Sequence, residues 1–194
     1  SNSEKKQIAA ESYVDWVDPL IGSGGHGHVF VGASIPHGMI QLGPNNNKKG
    51  WDWCSGYHDS DSTIIGFAHT HLSGTGIADL GDILLMPAVS VIDSAGYLPS
   101  SAYVSTFLKQ EELVTPGFYQ VKLHPSGVNV ELTAGERVGM HRYVYPSDKK
   151  AQVVVDLENS AQSLMLREGI ISSELQLIND STVVGVRSSD EWAM

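Results

Sequence analysis

Phe118-Tyr119-Gln120-Val121-Lys122-Leu123 sends Tyr119, Val121 and Leu123 to one side of an extended chain and Phe118, Gln120 and Lys122 to the other. A period of two with one apolar and one mixed face is the pattern of a β-strand that is buried on one side only. Pro116-Gly117 precedes it and Pro125-Ser126-Gly127 follows it, and both pairings favour turns. A second strand pattern, Val128–Ala134, begins directly after that turn. Similar segments continue in both directions: Thr63–Thr70, Asp82–Ser90, Val138–Tyr145, Ala151–Leu157, Ile170–Ile178 and Thr182–Ser188. Pro146-Ser147-Asp148 and Asn179-Asp180 punctuate them. The continuous Val153-Val154-Val155 predicts a strand buried on both faces, and His28–Ala33 and Met39–Leu42 are short enough to be strands. There is no long amphipathic helix and no repeat of about 20–50 residues. Strands at this spacing predict an all-β fold, an antiparallel two-sheet β-sandwich.

The chain has 194 residues, enough for one sizeable core, and a net charge of −10. That balance argues against a phosphate-binding face, which needs clustered Lys and Arg, so nucleic acid is excluded as an expected partner. No run approaches the roughly 18 apolar residues of a membrane-spanning helix. Cys54 is the single cysteine, so no internal disulfide can form. Residues 1–12 read as a polar leader arm, and Ser1-Asn2 resembles the scar of a cleaved expression tag. The lack of a signal peptide therefore says nothing about compartment. At the other end Trp192-Ala193-Met194 follows a strand without any tail composition, so the sandwich reads as cut short there.

The chemistry-bearing residues crowd into the first half. His26, His28, His37, His58, His69 and His71 are six of the eight histidines, set mostly among Gly, Tyr and hydroxyl residues. His-X-His on a strand places two imidazoles on one face, which suits a metal. No Glu or Cys stands nearby at ligand spacing, however, and Asp79 and Asp82, the closest acids, make no recognised zinc pattern with the histidine pairs. The same histidines could serve sugar hydroxyls beside aromatic faces, or brace a glycine-rich loop through backbone carbonyls. Gly50-Trp51-Asp52-Trp53-Cys54-Ser55-Gly56-Tyr57-His58 makes a poor strand and, as a loop, an aromatic wall or a plug at one end of the sandwich. Cys54 reads as a buried inert thiol rather than a nucleophile paired with His58. Ser73-Gly74-Thr75-Gly76 lacks the lysine of a phosphate loop and predicts a tight turn instead. The remaining acids are scattered, and Glu136 is expected to pair with Arg137 or Arg142.

Several of these segments, in this order, carry a resemblance. Val17-Asp18-Pro19-Leu20-Ile21-Gly22, Gly24–His28, Gly32–Met39, Trp51–His58, Gly66–Gly74, Gly81–Pro87 and Glu131–Tyr143 look like the amino-terminal domain of glycoside hydrolase family 92, from about Tyr13 onward. The resemblance implies a galactose-mutarotase-like super-sandwich over residues 13–194, coupled in the parent enzyme to an (α/α)6 barrel absent from this chain. It implies a calcium-dependent, inverting exo-α-mannosidase, many relatives acting on α-1,2-linked mannose of glycans. The acid, the base and the calcium ligands would come from the barrel, so no catalytic residue and no metal ligand is expected here. Gly25, His26, His28, Trp51, Trp53, His58 and His71 are the residues expected to line the sugar pocket. The parent would be secreted, periplasmic or outer-membrane-associated in a bacterium, with a native signal peptide. A stand-alone carbohydrate-binding module is the alternative.

Overall fold

The computed structural model describes residues 12–47, 49–89, 102–160 and 169–190. Of the leader arm only Ser12 is among them, and Trp192 to Met194 lie outside them. Six strands come from the first part of the chain: β1 (Ala33–Ser34), β2 (Gln41–Asn45), β3 (Thr63–Ile64), β4 (Gly66–Ala68), β5 (Leu84–Val89) and β6 (Ser105–Thr106). Seven follow: β7 (Glu112–Thr115), β8 (Phe118–Lys122), β9 (Asn129–Ala134), β10 (Gly139–Val144), β11 (Ala151–Asp156), β12 (Gly169–Asn179) and β13 (Thr182–Asp190). The helical pieces are one-turn 3-10 segments, Tyr13–Trp16, Trp51–Trp53 and Lys109–Glu111 among them.

The alternation in Phe118–Leu123 decides the packing. β8 lies inside a four-stranded antiparallel sheet of order β10-β9-β8-β7. Its register sets Tyr119 opposite Leu132 and Val121 opposite Val130, and β9 in turn sets those two opposite His141 and Tyr143. A one-residue slip would turn all of these outward, so the pattern fixes the register. The second sheet has five strands in the order β1-β2-β4-β5-β11. Leu42, Phe67 and Met86 from it meet Tyr119, Val121, Val130 and Leu132 in one core, all fully buried. Each such side chain contributes roughly 1.5–3 kcal/mol of transfer free energy. The two-sheet antiparallel sandwich expected from the sequence is therefore present.

Local expectations fare less evenly. β11 is the outermost strand of its sheet, so Val153 is 49% exposed rather than buried on both faces. His28–Ala33 forms no strand before Ala33, because glycines and a left-handed His28 (φ 56°) keep it a loop. Arg142 pairs with Glu131 across the β9–β10 ladder at 3.2 Å, not with Glu136, because the register faces those two residues. β12 and β13 form a separate hairpin closed at Asn179, whose carboxamide oxygen accepts from the Ser181 amide at 2.9 Å. Arg187 ties that hairpin to the body, donating to Asp82 Oδ2 and the Leu157 carbonyl, each at 2.9 Å.

Candidate functional site

Three loops converge at one end of the sandwich: residues 22–28, 50–58 and 73–76. Backbone and side-chain bonds lock them together. The His28 carbonyl accepts from the Gly74 amide at 2.6 Å, and the Ser23 carbonyl accepts from the Asp59 amide at 2.9 Å. Trp51 Nε1 donates to the Gly76 carbonyl at 2.6 Å. The first loop folds so tightly that a Cβ on Gly27 would stand 2.1 Å from the Gly22 carbonyl oxygen, a separation no side chain tolerates.

The second loop hangs from the core. The Tyr57 hydroxyl donates to Glu112 Oε2 at 2.9 Å, and Tyr119 donates to the other oxygen of that carboxylate at 2.8 Å. Burial, with Glu112 beside it, pushes the Tyr57 hydroxyl far up, so it stays a donor. Asn46 completes the frame: its amide donates to the Gly56 carbonyl, its Oδ1 accepts from the His58 amide, and its Nδ2 donates to the Thr63 carbonyl, each at 2.6 Å. Asn45 and Asn46 organise the site yet carry no spacing signal in the sequence, since their partners lie 10–36 residues away.

The residues expected to line a pocket divide by exposure. Gly25, His26 and Trp51 stand on the rim, exposed. Trp53 is half-buried, stacked on His58 with ring centroids 4.3 Å apart, and its Nε1 donates to Asp61 at 2.8 Å. His58 is buried, with Nε2 on the Gly25 carbonyl at 3.1 Å and Nδ1 on Ser60 at 2.8 Å. His71 is buried between the Gln41 carbonyl and Asn45 Oδ1. Burial pushes its pKa down to about 4, against the opposing pull of the Gln41 carbonyl. His69 turns elsewhere, to His141, so His69-X-His71 does not act as one pair. Trp51 and Trp53 likewise part company: the 3-10 turn sends one to the rim and the other inward. His58 and His71 brace the loops, and the exposed three are free to meet a ligand.

Asp52 is the residue the sequence reading left among the scattered acids. Its Oδ1 lies 2.7 Å from His26 Nδ1 and 3.0 Å from His28 Nε2. The His26 hydrogen bond, with help from His28 and against some desolvation, holds its carboxyl below the usual range. His28 meets the edge of Trp51 at 4.4 Å between ring centroids. These three ligand-type atoms lie within 4.8 Å of one another. Two imidazoles and one carboxylate do not fit calcium, which takes six to eight oxygens. A softer ion would have to displace both hydrogen bonds. Cys54, fully buried beside this turn, has its thiol pushed up by burial and offers no nucleophile. Two clefts elsewhere hold none of these groups: one of about 380 Å³ is lined by Val17, Phe30, Ile35 and Pro116, the other by Tyr103, Pro125 and Lys149. Gly25, His26 and Trp51 thus form an exposed rim around the Asp52 pair.

The glycosyl hydrolase family 92 N-terminal domain matches residues 16–194. Among solved structures, a family GH92 α-mannosidase of Bacteroides thetaiotaomicron in complex with mannoimidazole is 37% identical. It superposes with a TM-score of 0.84 over 94% of this chain and 24% of its own. The family GH92 inverting mannosidase of Bacteroides thetaiotaomicron VPI-5482 is 27% identical with a TM-score of 0.64, over 77% of this chain and 20% of its own. A curated relative, an uncharacterized secreted glycosidase of Arthroderma benhamiae, is 28% identical over 76% of this chain and 20% of its own length. The chain thus spans about a fifth to a quarter of the proteins it resembles.

Proposed function

The chain belongs to glycosyl hydrolase family 92, matching its N-terminal domain, and on that premise we propose that it forms one wall of the sugar pocket of an inverting exo-α-mannosidase. The substrate is terminal mannose of glycans, α-1,2-linked in the preferred case. The catalytic pair belongs to a further, helical domain of the parent enzyme, as does calcium, for which the residues at this rim are unsuited. The observation that carries this reading is the state of Asp52. A general acid must hold its proton near neutral pH, so its pKa must be raised. Asp52 is the carboxylate between the rim histidines, and two imidazole donors hold it ionised, while Asp59, the exposed acid beside Gly24, is paired with the Lys109 ammonium at 3.3 Å. An inverting enzyme also needs a second carboxyl roughly 6.5–9.5 Å from the first, with room for water between. The rim offers instead an exposed indole, an exposed imidazole and glycine backbone, the usual equipment for gripping a sugar. The parent acts outside the cytoplasm, a placement favoured by the relative named as secreted, and a bacterial source is favoured by the solved neighbours from Bacteroides thetaiotaomicron.

The test compares this chain with the full-length enzyme on α-1,2-mannobiose, following the anomer released by proton NMR. The expected result is no turnover by the chain alone and release of β-mannose by the full-length protein. Turnover by the chain alone would overturn the division of labour. Activity of the full-length protein on another glycoside but not on α-mannosides would overturn the substrate. Binding of mannobiose by the chain alone, with a full-length protein that hydrolyses nothing, would replace the reading by that of a binding module.

A further inference from the structure

One carboxylate oxygen serves two imidazoles through different ring atoms. Asp52 Oδ1 faces Nδ1 of His26 and Nε2 of His28. A carboxylate oxygen brings only lone pairs, so each of those nitrogens must carry the hydrogen. The two rings are therefore set in opposite tautomers: His26 is protonated on Nδ1 and His28 on Nε2. The remaining nitrogen of neutral His26, Nε2, is then a bare acceptor. Its side chain is 79% exposed.

The neighbours fix where that acceptor can act. Trp51, 44% exposed, is pinned by its Nε1 on the Gly76 carbonyl and lies 5.8 Å from the His26 ring between centroids. His28 packs against the same indole and is 7% exposed. It is held in a left-handed backbone conformation at φ 56°, a costly state for a residue with a Cβ. Gly76 closes over it: a Cβ there would sit 3.3 Å from His28 Nδ1. His28 is thus a buried post, Asp52 the acceptor on that post, and His26 the exposed ring that the acceptor orients.

Building on the sugar-pocket reading, we propose that Asp52 is a positioning residue that holds His26 as a hydrogen-bond acceptor for a sugar hydroxyl lying beside the Trp51 face. Free histidine favours the hydrogen on Nε2, which would make the outward nitrogen a donor. Asp52 reverses that choice. A sugar hydroxyl both donates and accepts, but an acceptor at this point demands that the hydroxyl donate, which leaves its lone pairs for other donors of the pocket. The tautomer therefore sets the direction of a hydrogen bond at the rim without Asp52 touching the sugar.

The test has two arms. In the chain itself, nitrogen-15 NMR of labelled histidines reads the tautomers directly: His26 is expected with its hydrogen on Nδ1 and His28 on Nε2. In Asp52→Ala no acceptor faces either ring, and His26 is expected to revert to the Nε2–H form. His26 found as Nε2–H in the unaltered chain would overturn the assignment without any variant. In the full-length enzyme, Asp52→Ala is expected to raise KM for α-1,2-mannobiose about tenfold while kcat stays within about twofold. His26→Ala should raise KM similarly, and the double variant should add little, as for residues acting through one contact. Additive effects, or an unchanged KM in a full-length enzyme that cleaves mannosides, would overturn the positioning role while leaving the mannosidase reading intact. A full-length enzyme inert on mannosides would remove the sugar-binding part of both.

Discussion

Acidification should loosen the sandwich through a histidine pair that spans its two sheets. His69, just past β4, and His141 on β10 meet Nε2 to Nε2 at 3.1 Å, and the Tyr143 hydroxyl lies 2.7 Å from His141 Nδ1. One Nε2 carries the hydrogen and the other the lone pair, so the neutral pair is satisfied. Charging both rings would set two cations about 3 Å apart in a poorly solvated place. Burial, reinforced by His69, pushes His141 down to about 4 from its ordinary 6.5, and burial lowers His69 too. Because the folded value lies below the unfolded one, this stability is fully present above about pH 6.5 and is lost as pH falls toward 4. A ring moving between those values costs about 2 kcal/mol at about pH 5, and about half that after allowance for solvent screening of a partly exposed group. Buried His71, also lowered to about 4, acts in the same direction. Urea unfolding followed by tryptophan fluorescence at about pH 8 and about pH 5 reads the effect. With a slope of about 2 kcal/mol per M, His141 alone should account for a midpoint drop of about 0.5–1 M. His141→Gln should show that much less pH dependence than the unaltered chain. Equal pH dependence in the two proteins would refute the reasoning.

Trp53→Ala should destabilise the chain by about 2–4 kcal/mol, since it strips the stack from His58 and leaves buried Asp61 short of a donor; chemical denaturation measures it. Gly27→Ala should cost about 1–3 kcal/mol and shift the NMR signals of His26 and His28, because the loop must open by more than an ångström to admit the methyl group. Cys54 should resist a water-soluble thiol reagent in the native chain and react only on unfolding, which a colorimetric thiol assay reads directly.

The strands were legible because their signals are local. Tyr119, Val121 and Leu123 share a face whatever the rest of the chain does, and Pro-Ser-Gly at 125–127 ends the strand in place. The fate of Val153 was not legible: three valines look alike in a central and an outer strand, and only the sheet order places β11 outside. The site was legible by composition and not by role. His26, His28 and Trp51 could be named as a group, yet nothing in the spacing says that Asp52, 24 residues beyond His28, returns to bridge two histidines. Nor could spacing separate His71, sealed between Gln41 and Asn45, from His26 on the rim.

The carboxylates follow one rule that bears on what this domain can do. Asp61, fully buried, accepts from Trp53 Nε1, from Lys49, and from the Ser62 and Thr63 amides. Against the upward pull of burial, donors from Thr63, Lys49 and Trp53 hold it below the usual carboxylate range. Glu112 takes the Tyr57 and Tyr119 hydroxyls, and buried Asp156 takes the Tyr103 hydroxyl at 2.6 Å with Asn159 and the Glu158 amide. Glu112 and Asp156 each join a loop tyrosine to a strand, and Asp61 joins the Trp53 turn to β3. A catalytic acid needs the reverse: an apolar setting that keeps the proton on. Asp61 is arranged to stay charged and hold its loop still, and Asp52 extends the same use to the rim. On the proposed mannosidase reading, a rim built this way would supply geometry and leave proton transfer to groups in a different environment.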